Sequence, residues 1–114
     1  NQWYSMVAKS EFVEREDCVE KLDPSILSKN ILSPILGITD PRNDKRLSFV
    51  DGSVGLKDIE NKIDGKEFEL AFILKAVNFS QLKDVADNGR SMPPKSTYIQ
   101  PKLRSGMLIY NIND

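Results

Sequence analysis

The 114 residues of this chain are 39% apolar and 29% charged, which fits one small globular domain and is too apolar for a disordered segment. Its 16 basic and 17 acidic residues give a net charge of −1, whereas nucleic-acid-binding domains favour a basic excess, so nucleic acid is not an expected partner. The chain contains no histidine, which excludes a Ser-His-Asp triad and a histidine-based zinc site within it.

Cys18 is the single cysteine, so it cannot form an internal disulfide, and a reducing, cytoplasmic location is expected. Without a histidine as its base, Cys18 is predicted to fill space rather than to act as a nucleophile. No apolar run approaches the ~18 residues of a membrane span, and no membrane association is expected. The chain begins without a methionine, which indicates a piece of a longer protein.

The first part of the chain predicts one strand and one helix. Residues 2–12 are rich in aromatic and β-favouring residues and predict the strand. Asp23 and Pro24 predict the helix start, because Asp23 can cap the free amides and Pro24 suits the first helical position. Four apolar residues at helical spacing continue this helix toward Pro34: Ile26, Leu27, Ile31 and Leu32.

A polar, turn-rich loop over residues 39–45 separates that helix from a second predicted strand at residues 46–50. The loop carries mixed charges without the spacing of a calcium loop, which predicts a solvated loop. Ser53 is a candidate cap for a second helix, whose buried stripe is Leu56, Ile59 and Ile63. Gly65 is expected to end this helix with a positive φ.

The strongest predicted strand covers residues 68–77, which are apolar on both faces and therefore favour a central place in a sheet. Asn78 or Ser80 is expected to cap a third helix, and Asn88 with Gly89 to end it. Residues 95–100 and 107–112 predict two short strands around a turn.

The order β-α-β-α-β-α-β-β predicts an α/β (α+β) fold with one compact domain over residues 1–114. A mixed sheet of about four to five strands would carry about three helices. The predicted core is Phe49, Leu56, Ile59, Leu70, Phe72, Leu82, Val85 and Ile109.

The segment 92–102 holds the candidate functional residues. It combines Lys95, Ser96 and Thr97 with Lys102 and three prolines, and a lysine with two hydroxyls can hold a phosphate or carboxylate. Lys102 lies seven residues beyond Lys95, or ~23 Å along a straight strand, so Lys95 with Ser96 or Thr97 forms the centre of the predicted site and Lys102 contributes only if the chain bends. The alternative is an edge strand in which Lys95 discourages aggregation.

Several segments together resemble the C-terminal part of a bacterial family known as domain of unknown function one-thousand-fifteen. The most specific are Met-Pro-Pro-Lys-Ser-Thr at residues 92–97 and Pro-Lys-Leu-Arg-Ser-Gly at residues 101–106. The likeness covers about residues 3–110 and includes residues 47–56, 70–72 and 85–89. Two positions depart from the family pattern, because Val54 replaces an arginine and Ile99 replaces an aromatic residue.

The resemblance implies that this chain is a C-terminal fragment of a longer protein. Members of the family carry an upstream Asp-Gly-His-His-Arg-like motif, similar to one in ParB-type nucleotide-binding proteins and free-serine kinases, and a chain without histidine lacks it. The implied ligand is ATP or another phosphate compound in the full-length protein, with no cofactor in this chain and no metal site.

Two functions of different classes follow from these observations. The first is an accessory lobe of a larger cytoplasmic enzyme of nucleotide-binding or kinase-like type, to which this lobe supplies the anion site and the upstream domain supplies acid–base groups. The isolated chain would then not be catalytic. The second is a non-catalytic structural or dimerisation module. The expected partners are the upstream domain of the same protein or a second copy of this chain.

Overall fold

The computed structural model describes residues 2–98 and residue 101, and its regular structure there is helical. Helix α1 spans Ser10–Val13. Helix α2 spans Asp23–Leu27 and continues directly into the π-helical turn π1, Ser28–Leu32. Helices α3 and α4 span Leu56–Asp64 and Phe79–Asp87. The three predicted helical regions are thereby confirmed, whereas α1 lies where a strand was predicted.

The predicted mixed sheet is wrong for the described residues, none of which lies in a β-strand. Residues 46–50 and 68–77 are irregular, and residues 2–12 are irregular up to α1. A strand needs a neighbouring strand for its backbone hydrogen bonds, and β-favouring residues alone do not supply one. Residues 95–98 are also not a strand, while residues 99–100 and the predicted strand at 107–112 lie outside the described residues.

Helix α2 starts one residue earlier than predicted. Leu22 is its N-cap in extended backbone, and no side chain caps the helix, so the predicted cap role of Asp23 is wrong. Asp23 instead lies in the first turn, where a carboxylate interacts favourably with the helix dipole. In the π-helical turn the Ser33 N–H donates to the Ser28 carbonyl at 3.0 Å, and regular helix ends before Pro34, as the sequence predicts.

Helix α3 begins and ends differently from the prediction. Its N-cap is Gly55, and the Ser53 hydroxyl and amide bind the Asp51 carboxylate instead of capping the helix. At the other end Gly65 has a φ of −73°, and Lys66 takes the positive φ of 58°. The amides of Lys66 and of the residue after it donate to carbonyls of the last helical turn in a Schellman pattern, so a lysine holds the position that glycine usually fills.

Helix α4 has the ends that the sequence predicts. The Asn78 side chain accepts from the Gln81 amide at 2.9 Å, and the Gln81 side chain accepts from the Asn78 amide at 3.0 Å, which is a capping box. At the C-terminus Gly89 has a φ of 62°, and the Arg90 N–H donates to the Val85 carbonyl at 3.0 Å. This Schellman closure turns the chain back toward the core.

The core joins α4 to the turn before α2. Leu22 is fully buried and Val85 is 1% exposed; together with Cys18 they form one cluster, and Val19 and Met92 pack against it. Burying a leucine or a valine contributes ~1.5–3 kcal/mol each. Cys18 is therefore a buried, space-filling residue, as predicted. Two ion pairs brace the same junction, Arg90 with Asp17 at 2.8 Å and Lys21 with Asp84 at 3.7 Å.

The predicted core is correct for Val85 and wrong for three other residues. Phe49, Leu56 and Leu70 are exposed, because the sheet that would have covered them is absent from the described residues. Ile59, Phe72 and Leu82 are half-buried, and Ile109 lies outside the described residues. The residues that are buried instead include Leu32 and Ile38, around the end of π1.

Candidate functional site

The predicted anion-binding residues lie in a tight turn over residues 93–96. The Ser96 amide donates to the Pro93 carbonyl at 3.3 Å, which closes the turn, and Pro94 supplies the fixed φ that suits its second position. Lys95 occupies the third position with a φ of 58°, as type II turns require. Met92, immediately before the turn, packs against the core cluster, so one end of the turn is fixed to the rest of the fold.

The turn presents its residues unequally. Lys95 and Thr97 are exposed, so their ammonium and hydroxyl groups are accessible to an anion. Ser96 is half-buried, and its hydroxyl donates to the Pro93 carbonyl at 2.6 Å. Because the Ser96 hydroxyl proton is used in this hydrogen bond within the turn, Lys95 and Thr97 remain as the candidate side-chain donors for an anion. Lys102 lies outside the described residues.

The backbone of Lys95 is strained. An L-residue in the left-handed region brings its Cβ close to the neighbouring carbonyl, at a cost of ~1–2 kcal/mol. Strained positions of this kind cluster at ligand clamps and switch regions. The alternative of an edge strand at Lys95 is wrong, because the described residues there form a turn. A Lys-Ser pair directly after two prolines is the sequence signal for the turn, but the positive φ at lysine could not be read from it.

A second candidate site is an apolar groove between the N-terminal segment, helix α3 and the start of the 68–77 segment. Its volume is about 280 Å³, and Ile59, Ile63 and Leu70 line it. Trp3 and Tyr4 form one wall, and the Trp3 indole N–H donates to the Glu60 carboxylate at 2.8 Å. This contact joins the N-terminal segment to α3.

The groove opens onto an exposed apolar surface. Leu70, Ile73 and Leu74 are 57%, 47% and 41% exposed, within five successive residues. Trp3 and Tyr4 at the groove are also exposed. Sequence reasoning assigned residues 68–77 to a sheet interior, so it missed their role as surface. The sequence signal for an interaction surface was that residues 68–77 are apolar on both faces.

A small polar cavity of about 210 Å³ lies at the start of α4, where Asp23 and Lys75 face Asn78 and Gln81. The N-terminus of a helix attracts anions through its free amides. Here the capping box already uses the Gln81 amide, and Asp23 brings a like charge to the cavity. The cavity therefore does not offer an anion site.

The charged loop after π1 is held by Arg46. Its guanidinium binds Asp44 through two nitrogens, at 3.0 Å and 2.6 Å, and donates to the carbonyls of Leu36 and Gly37 at 3.0 Å and 3.2 Å. Hydrogen bonding to Arg46 lowers the pKa of Asp44 to about 2. The arrangement satisfies carbonyls beyond the helix end, so it is structural. Among the described residues no cluster of acidic or sulfur side chains could hold a metal ion.

No family model, curated protein or solved structure matches this chain. The family resemblance of residues 92–97 and 101–106 therefore stays a hypothesis. Within residues 2–98 and 101, none of the helices has both the length and the apolar character needed to cross a bilayer.

Proposed function

We propose that this chain is a non-catalytic assembly module whose apolar surface is covered by a second polypeptide in the complete protein. The observation that carries the proposal is the exposure of Leu70, Ile73 and Leu74 next to the groove. Single exposed apolar residues are normal, but three within five successive residues, next to a groove with exposed aromatic residues, favour an interaction surface. Covering it would remove from water the apolar area that this part of the chain leaves unburied.

The covering polypeptide is either the upstream domain of the same parent protein or a second copy of this chain. The resemblance to the C-terminal part of a longer protein favours the upstream domain, and the exposed surface itself is compatible with either partner. A cytoplasmic parent is part of the proposal, because Cys18 is a free thiol and disulfides are rare in reducing compartments.

Hydrogen exchange tests the module directly. Amides of residues 70–77 should exchange rapidly in the isolated chain and slowly in the full-length parent protein, because the covering polypeptide excludes water there. Equal exchange in both would contradict the proposal. Light scattering over a concentration series then separates the two partners, since a mass that rises with concentration indicates a second copy, and a constant monomer mass indicates the upstream domain.

A double substitution sharpens the light-scattering and exchange tests. Ile73→Ser with Leu74→Ser removes two apolar side chains from the surface without touching the buried core. Val7→Ser is the matched control, because Val7 is also exposed and lies in a different segment. We expect the double variant, and not the control, to abolish protection of the 70–77 amides in the parent protein.

The turn at residues 93–96 supports a second function, the accessory anion site for a nucleotide-binding or kinase-like parent. The specific observation is the strained, exposed Lys95 beside exposed Thr97. The test is a titration with phosphate, pyrophosphate and ATP, followed through the amide shifts of residues 95–97. Lys95→Ala should remove the response, and Lys66→Ala, the same change at a second left-handed lysine, should keep it. Silence at millimolar pyrophosphate in the wild-type chain would contradict an intrinsic site.

A further inference from the structure

We infer that the groove lined by Trp3, Tyr4, Ile59, Ile63 and Leu70 binds a basic amphipathic segment of another polypeptide. This inference rests on the assembly function proposed above and names the chemistry of the partner. The apolar floor comes from one face of α3, and the aromatic wall comes from the N-terminal segment. Exposed aromatic residues beside a pocket are common among residues that dominate binding energy.

The charge of the groove selects a cationic partner. Two carboxylates, Glu60 and Glu69, line it, and no basic residue is among its lining residues in the described part of the chain. Lys62, on the same helix, contacts the Glu67 carboxylate at 2.8 Å and lies over the Phe68 ring at 5.9 Å, so its charge is directed to those groups.

The Glu60 carboxylate is already oriented for such a partner. It accepts the Trp3 indole N–H at 2.8 Å, which fixes the side chain at the groove. A carboxylate has about four acceptor positions, so one bond to Trp3 leaves capacity for a lysine or arginine of the partner. Glu69, next to Leu70 in the sequence, also lines the groove, so an apolar side chain bound there would have two acidic residues around it.

A polypeptide fits the surface better than a small ligand because the apolar area continues past the groove. Leu70 belongs both to the groove and to the exposed group that extends to Ile73 and Leu74. Four residues of extended chain span up to ~13 Å, beyond the reach of one side chain. A segment with alternating apolar and basic residues could place the apolar ones along this surface and the basic ones at Glu60 and Glu69.

Trp3 provides the assay, since it is the only tryptophan of the chain and lines the groove. The probe is a short peptide of alternating leucine and lysine, titrated into the 114-residue chain while Trp3 emission is recorded. The comparison peptides alternate leucine with glutamate, and serine with lysine. Glu60→Gln with Glu69→Gln removes both charges, while the new amide oxygen at position 60 can still accept from the indole. Glu11→Gln with Glu14→Gln removes two exposed carboxylates outside the groove and is the control.

We expect the leucine–lysine peptide to shift the Trp3 emission saturably and the other two peptides to give no saturable shift. The groove double variant should bind roughly 2- to 30-fold more weakly, the combined effect of two exposed ion pairs, and the control should bind as the wild type does. Leu70→Ser should weaken binding as well. Helix content by circular dichroism verifies that each variant keeps its fold.

Three results would overturn the inference. They are equal binding of the serine–lysine peptide, unchanged affinity of the groove double variant, and an emission shift caused by raising the protein concentration without peptide, which would identify a second copy as the occupant. The hydrogen-exchange test separates the two proposals. Protected amides at residues 70–77 in the parent protein with no peptide binding would refute the basic partner alone, whereas equal exchange in parent and isolated chain would refute the assembly function.

Discussion

Two lysines with the same unusual backbone, Lys95 and Lys66, allow strain to be separated from function. Each has a φ of 58°, Lys95 in the turn over residues 93–96 and Lys66 after helix α3. The left-handed conformation costs an L-residue ~1–2 kcal/mol, and glycine relieves it. Glycine also has more conformational freedom in the unfolded chain, which lowers the free energy of unfolding by ~0.4–1 kcal/mol. Lys95→Gly and Lys66→Gly should therefore each raise the free energy of unfolding by a net of ~0–1.6 kcal/mol.

The assay combines unfolding with anion binding on the same variants. A gain of ~1 kcal/mol raises the melting temperature by ~4 °C in a domain of 114 residues. Pyrophosphate titration followed by amide shifts gives the affinity of the turn. We expect Lys95→Gly to gain stability and lose pyrophosphate binding, and Lys66→Gly to gain stability and keep it. Lys95→Ala retains the strained φ, so it should lose binding without gaining stability.

Two outcomes would refute this reasoning. The first is a Lys95→Gly variant that is less stable than the wild type while Lys66→Gly is more stable. That result would show that the Lys95 side chain stabilises the fold, so that its positive φ is not a destabilising feature retained for anion binding. If both Lys95 variants bind pyrophosphate as tightly as the wild type, the ammonium group does not contribute to an anion site.

Three further predictions concern stability and ionisation. The pKa of Asp44, measured by NMR from its carboxyl carbon shift, should be about 2 and should rise toward 3.8 in Arg46→Gln. Because pairing lowers this pKa in the folded protein, the ion pair stabilises the fold fully above about pH 4 and this stabilisation is lost as the pH falls toward 2. An unchanged pKa in that variant would contradict the assigned cause. Leu22→Ala should cost ~2–5 kcal/mol, because Leu22 is fully buried, whereas exposed Leu70→Ala should cost well under ~1 kcal/mol; equal costs would disprove the core assignment. Asn78→Ala should cost ~1 kcal/mol through loss of the capping box and Asn78→Ser much less, and equal losses would show that the cap bond is not the cause.

The helices could be predicted because their determinants are local. Helix α4 needs a capping residue, a return bond from Gln81 and a glycine at its end, and all three lie within about twelve residues of sequence. Helix α3 shows the limit of the same reasoning. Gly65 was the expected left-handed residue, but the positive φ falls one residue later, at Lys66. The hydrogen bonds of the Schellman motif decide which residue is left-handed, and the preference of that position for glycine is weaker than those bonds.

The strand predictions for the described residues were wrong because the formation of a strand depends on segments that are distant in sequence. Residues 68–77 have the composition of a central strand, but a strand exists only where a second segment supplies hydrogen-bond partners. Of the candidate partners, residues 10–13 fold as a helix, and Phe49 lies in an irregular, exposed segment. The apolar pattern therefore identified residues whose burial would be favourable, and it did not identify whether a segment of the described chain covers them.

The candidate anion site was also predictable in its local pattern and not in its contacts. The sequence places Lys95, Ser96 and Thr97 beside prolines and so predicts a rigid, polar segment. It does not predict that the Ser96 hydroxyl donates to the Pro93 carbonyl. With this bond Ser96 stabilises the turn and is no longer a candidate donor to a ligand. Hydroxyl groups near a turn commonly bind local backbone, and only the fold decides between that and a ligand.

Two of the segments for which strand prediction failed meet at the groove. Trp3 and Tyr4 come from the first predicted strand and Leu70 from the third; all three are exposed, and of these Leu70 was predicted to lie in the core. Sequences are usually consistent from local pattern to tertiary packing, and departures concentrate at functional or strained sites. Among the described residues nothing covers Leu70, Ile73 and Leu74, which is the ground for proposing an external partner, and the carboxylates of Glu60 and Glu69 at the groove are the ground for proposing that this partner is basic.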